Sequence, residues 1–161
     1  MKNRSFREDP RPRLRTRKAW AGIEGTLYLH YNLQPTTAYM KYQLSFCEIE
    51  QLSDNVFETT PKKGIVLDKK CVDEVWSHWD KIRDKPFGLL VNYKNTYTHS
   101  PEGARYVGKH PLQRKTAILC TDPELIKEIQ KVVKIKKMHG SYIYHQVFSD
   151  RDEALKWLSN I

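Results

Sequence analysis

Apolar and polar positions alternate along this chain in two rhythms, and from residue 40 onward the switch between them recurs. Tyr42, Leu44 and Phe46 follow a period of two across residues 42–50, which predicts a first strand. Asn55-Val56-Phe57-Glu58-Thr59 predicts a second, beyond the turn-rich Ser53-Asp54. The rhythm then lengthens. Val72, Val75, Trp76, Trp79 and Ile82 recur at helical spacing behind Asp68, whose short carboxylate suits a helix cap, so both tryptophans are expected in the core.

Residues 87–92 form an apolar run that predicts a buried strand leading into polar residues. Ser100-Pro101 then combines a capping hydroxyl with proline at the first helical position, predicting a short helix toward Val107 that ends before His110-Pro111. A fourth strand is expected over 115–120. Asp122-Pro123 repeats the cap-plus-proline signature, and Leu125, Ile126, Ile129, Val132 and Val133 make the inner face of the helix that follows. Lys127, Lys131 and Lys134 share its opposite, solvated face. The last strand is expected over 142–148, and Ser149 or Asp150 caps a final helix carrying Ala154, Leu155, Trp157 and Leu158. Strands alternating with helices in this order predict an α/β fold with a mainly parallel sheet of five strands. Only the first two strands lack a helix between them, so one antiparallel edge strand is expected.

The first 39 residues read differently. Residues 1–18 have almost no apolar side chains and two prolines, a composition too poor in buriable surface to offset ordering entropy, so disorder is expected. Residues 26–31 could form a short strand, and Gln34-Pro35-Thr36-Thr37 reads as a linker. The expected organisation is a basic extension over 1–39 and a domain over 40–161. Met40 as a natural start and a genuine native extension are equally compatible with that boundary.

Charge sharpens the contrast. The net charge is +9, but residues 1–18 hold eight Lys or Arg against Glu8 and Asp9, leaving the rest nearly neutral. A neutral body with a basic tail is a weaker nucleic-acid signal than a basic face on a folded domain, so nucleic-acid association through the arginine-rich tail is only an alternative. No apolar run approaches the roughly 20 residues of a membrane span, and no apolar leader follows the initial positive charges, so a cytoplasmic location is expected. Cys47, Cys71 and Cys120 are odd in number and far apart, as in proteins of a reducing compartment.

Candidate chemistry concentrates between the third strand and the short helix. Asn92, Lys94, Asn95, Tyr97, Thr98 and Ser100, with His99 among them, could supply donors to an anion near a helix start. The same residue types also shape turns and cap helices without any ligand. Catalysis has less support, because no nucleophile stands in a motif with a base and an orienting group. Cys71, beside Lys69 and Lys70 in a first helical turn, is the nearest approach, and packing explains it equally simply. His99, His110 and His139 fall in predicted loops and are expected to be solvated. No Gly-rich phosphate loop, dinucleotide fingerprint or metal-ligand spacing is present, so no cofactor or metal is expected and the chain is read as non-enzymatic.

The predicted order and several segments resemble the STAS family in its SpoIIAA-like, STAS/SEC14 branch. Val147-Phe148-Ser149-Asp150-Arg151-Asp152-Glu153-Ala154-Leu155-Lys156-Trp157-Leu158 is similar to that branch's closing strand and helix. Lys85-Pro86-Phe87-Gly88 and Asn95-Thr96-Tyr97-Thr98-His99-Ser100-Pro101 resemble segments of small stand-alone bacterial members. The resemblance covers residues 40–161. It implies four consecutive strand-helix units and a regulatory module that binds a protein partner or a small ligand. Phosphorylated members carry Asp-Ser-Ser/Thr-Gly at a strand-to-helix loop. Matching Gly103 to that glycine puts Pro101 at the acceptor, whereas a slip of one residue makes Ser100 the acceptor. A further alternative is a carrier of a hydrophobic, lipid-like ligand, with Phe87, Trp76, Tyr106 and Trp157 as expected pocket residues.

Overall fold

The computed structural model describes residues 40–138 and 141–161. The basic extension, the strand considered at 26–31 and His139 lie outside them. The chain begins as a tight hairpin, β1 (Lys41–Gln43) and β2 (Cys47–Gln51), with Lys41 opposite Glu50. This corrects the single strand expected over 42–50. The bend contains no Gly, Pro or Asn, and long-range contacts hold it instead. Leu44 N donates to Cys47 O at 2.9 Å, the Glu74 carboxylate accepts from both the backbone N–H and the hydroxyl of Ser45, and Lys62 Nζ donates to the Leu44 and Ser45 carbonyls.

β3 (Val56–Pro61) pairs antiparallel with β2, and β5 (Phe87–Asn92), β7 (Gln113–Leu119) and β8 (Tyr144–Phe148) then add in parallel. The sheet is mixed and mainly parallel, with six strands in the order β1-β2-β3-β5-β7-β8, rather than five with one antiparallel edge. β4 (Val66–Leu67) and β6 (Thr98–His99) form a separate two-stranded parallel ladder. Two-residue strands are too short to leave a periodic trace in the sequence.

Four helices lie among the described residues: α1 (Lys69–Ile82), α2 (Pro101–Tyr106), α3 (Pro123–Met138) and α4 (Arg151–Leu158). Their starts are fixed as the capping residues suggest. Asp68 accepts from Cys71 N, Ser100 from Gly103 N and Asp150 from Glu153 N, at 3.0, 3.0 and 2.8 Å. Asp122 accepts from Glu124 N and Leu125 N at the start of α3.

Because strand side chains alternate, the register divides the sheet into two faces. Phe57, Leu89 and Ile118 point to the side covered by α1 and α3, whereas Val56, Leu90 and Ala117 point to the side covered by α4. On the first face, Trp79 meets Phe57 edge to face at 5.1 Å and lies tilted on Phe87 at 4.8 Å. On the second, Ala154 and Leu158 are fully buried against Leu90 and Ala117. Trp157 stands at the margin of that layer, half-buried between Phe148 and the Lys115 ammonium.

Candidate functional site

Between the sheet and the α1–α3 side lies a cavity of about 290 Å³. Its floor is the alternating inward set Thr59, Leu89, Val91, Thr116 and Ile118. Val75, Trp76 and Trp79 wall it from α1, and Leu125, Ile129, Val132 and Val133 wall it from α3. The space has a simple origin. α2 has six residues and packs chiefly on α1 and β6, so no long helix fills the gap above β5 and β7.

One end of the cavity is polar. The Tyr97 ring lies between Tyr93, at 4.6 Å between centroids, and His99, at 5.4 Å. Lys136 Nζ donates to the Val107 carbonyl at 3.5 Å, and His145 Nε2 lies opposite Gly108, 3.5 Å from where a Cβ on that residue would sit. Gly108 has φ +70°, a left-handed conformation that lets the chain leave α2 sharply. His145 Nδ1–H donates to the Ile143 carbonyl at 2.8 Å, which leaves Nε2 as an acceptor in the neutral ring.

Burial dominates the electrostatics of this end. Desolvation, reinforced by the Lys136 charge, pushes His99 and His145 down to about 4. Desolvation and the nearby Lys109 push Lys136 down to about 8. Burial raises Tyr97 well above the usual phenol value, with Tyr93 adding to the effect. All three cysteines are buried outside any disulfide, and desolvation pushes Cys47 up to about 12. It also raises Cys71 despite its place in the first turn of α1.

The neutral imidazoles make acid sensitivity an expected property. Unfolded histidines take up protons near pH 6.5, whereas His99 and His145 in the folded domain resist until about 4. Stability is therefore fully present above pH 6.5 and falls as pH drops from there toward 4. Melting temperatures across that range should decline in the wild type, and a His99→Gln/His145→Gln protein should show a flatter curve. An identical slope in both proteins would assign the acid sensitivity to other groups.

The residues read as a possible anion site between 92 and 100 divide among several places. Asn92 Nδ2 donates to Glu58 Oε1 at 2.8 Å while its Oδ1 accepts from Lys94 N, and Asn95 Nδ2 donates to the Pro61 carbonyl at 2.8 Å. Ser100 caps α2, so its hydroxyl is already engaged by Gly103 N. Thr98 is exposed on β6, and Lys94 borders a different, polar hollow with Glu48, Glu50 and Thr60 on the sheet face away from α1. Of the six, Tyr97 alone reaches the apolar cavity, with His99 beside it.

Among the four aromatics expected around a hydrophobic ligand, Trp76 lines the cavity. Phe87 is 0% exposed within the aromatic core, Tyr106 is exposed beside Lys69, and Trp157 belongs to the opposite face. His110 also departs from expectation. It is 2% exposed, accepts from Leu112 N through Nδ1 and donates through Nε2 to Asp80 Oδ1 at 3.0 Å.

Sequence reasoning missed Lys136 and His145, although both carried a signal. Lys136 continues the inward series Leu125, Ile129 and Val132 at steps of four, three and four, and His145 is in phase with Val147 on β8. Glu58 is buried, and its carboxylate is held by Asn92 and by Arg151 at 2.6 Å, a satisfied pair that braces α4 against the sheet. In comparisons with family models, with curated proteins and with solved structures, nothing matches the chain.

Proposed function

We propose that this protein is a non-enzymatic, small-ligand-binding module of the STAS/SpoIIAA-like kind, holding a mainly apolar molecule between its sheet and the α1–α3 layer. The observation that carries the reading is the cavity itself, with apolar walls and a few polar groups gathered at one end. Support for the family comes from β3, β5, β7 and β8, each leading to a helix and lying in chain order across the sheet. The chemistry favours binding over catalysis: burial raises the Cys47 and Cys71 thiols, and no carboxylate pairs with a cavity histidine among the described residues. Among the described residues no helix is long and apolar enough to cross a membrane.

Octan-1-ol serves as a neutral apolar probe. It is expected to raise the melting temperature of the full chain in a concentration-dependent way, because a ligand that binds only the folded state stabilises it by mass action. Val133→Trp, which puts a larger ring into the cavity from α3, should abolish the shift while remaining cooperatively folded. Absence of any shift in the wild type with octan-1-ol or decan-1-ol would overturn the reading, as would an undiminished shift in Val133→Trp.

A further inference from the structure

We infer that the molecule taken into this cavity carries a carboxylate, seated beside Lys136 at the end bounded by His145 and the Val107-Gly108 turn. This deepens the proposed function and rests on it. Among the described residues the Lys136 ammonium reaches a single protein acceptor, the Val107 carbonyl, at the long distance of 3.5 Å. Among the described residues no carboxylate lies within ion-pairing distance of it. A cation set into a largely apolar wall is costly unless paired, so the end of the cavity lacks a counter-ion.

The charged and titratable groups facing Lys136 are consistent with an anion. Lys109, beyond α2, adds positive charge, while His99 and His145 contribute none in their neutral forms. Glu128 also lines the cavity, but it stands eight residues earlier on α3, about 12 Å along the helix axis. It is exposed and paired with Lys131 at 2.7 Å. One ammonium between two neutral imidazoles matches the single charge of a carboxylate better than a phosphate dianion.

Size narrows the class. At roughly 30 Å³ for each water-sized group, the cavity accommodates about ten non-hydrogen atoms. That corresponds to a medium-chain fatty acid or a small aromatic acid.

Calorimetric titration of the full-length protein with octanoate, octan-1-ol and octylamine tests the assignment. At pH 7 octanoate should bind at least tenfold more tightly than the alcohol, and the amine most weakly. Lys136→Met should erase the preference for octanoate while keeping alcohol binding, and it should fold as well as the wild type because it replaces a buried charge with an apolar chain of similar length. Octanoate affinity should fall severalfold between pH 8 and pH 9.5 as the Lys136 ammonium is lost, with no comparable change for octan-1-ol. Equal binding of acid and alcohol, or a preference that survives in Lys136→Met, would overturn the carboxylate assignment and leave the cavity reading intact. Failure of all three probes to bind would overturn both.

Discussion

Replacement of Trp79 by alanine is expected to lower the unfolding free energy by about 3–5 kcal/mol, the usual cost of truncating a large, fully enclosed aromatic side chain. Trp79 is 1% exposed and is the hub of the aromatic layer beneath α1, touching Phe57, Phe87 and His78. Its loss removes buried apolar area and leaves a void that rigid neighbouring rings cannot collapse to fill. The expected cost at Trp157 is smaller, since that ring is half-buried at the edge of α4. Urea titrations of Trp79→Ala and Trp157→Ala check the ranking. A loss at Trp79 below about 1 kcal/mol, or one no greater than at Trp157, would show that the core does not depend on this ring.

The second large effect is expected at Gly103, in the first turns of α2. A Cβ at this position would lie 2.1 Å from the Leu67 carbonyl oxygen and 2.8 Å from its carbon, both backbone atoms that no side-chain rotation can move. Gly103→Ala must therefore push α2 away from the β4–α1 junction, at a cost of about 3 kcal/mol, the upper part of the usual range for overpacking. The displacement reaches further than stability. α2 ends at the Val107-Gly108 wall of the cavity, so the same variant should weaken octan-1-ol binding in whatever fraction remains folded. Chemical denaturation that shows Gly103→Ala within 0.5 kcal/mol of wild type, about the scatter of neutral surface changes, would contradict the close approach.

Much of the domain could be read from its sequence because local chemistry and tertiary packing agree. Asp68, Ser100 and Asp150 sit at helix starts in both, and Leu125, Ile126, Ile129 and Val133 of α3 pack inward as their spacing suggests, whereas Val132 is 49% exposed. The hairpin at residues 41–51 could not be read, because Glu74 and Lys62, distant in sequence, hold a turn that contains no Gly, Pro or Asn. The cavity was legible only in part. Hydrophobic periodicity says which side chains face inward and nothing about whether they meet, so Phe87 in a filled core and Val91 beside empty space look alike in sequence. Treating polar residues as solvated by default hid His110, His145 and Lys136. Lys136 and His145 are in register with apolar neighbours on α3 and β8, whereas His110 is buried within a loop.

The chain-ordered sheet also bears on how the polypeptide assembles. No strand from β3 onward has to insert between two partners already in place, since β5, β7 and β8 each join the edge left by the strand before. Each parallel pairing closes a crossover of about 26–32 residues, so these strands add stepwise but more slowly than the β1–β2 and β2–β3 hairpins. Growth in that direction matches the order in which residues leave a ribosome. The final step is of a different kind. α4 follows the last strand and packs back across β5, β7 and β8 on a face that no other described helix covers, with Lys115 Nζ donating to the Trp157 and Asn160 carbonyls at its end. Until α4 has emerged, Val56, Leu90 and Ala117 lack the cover that Ala154 and Leu158 supply.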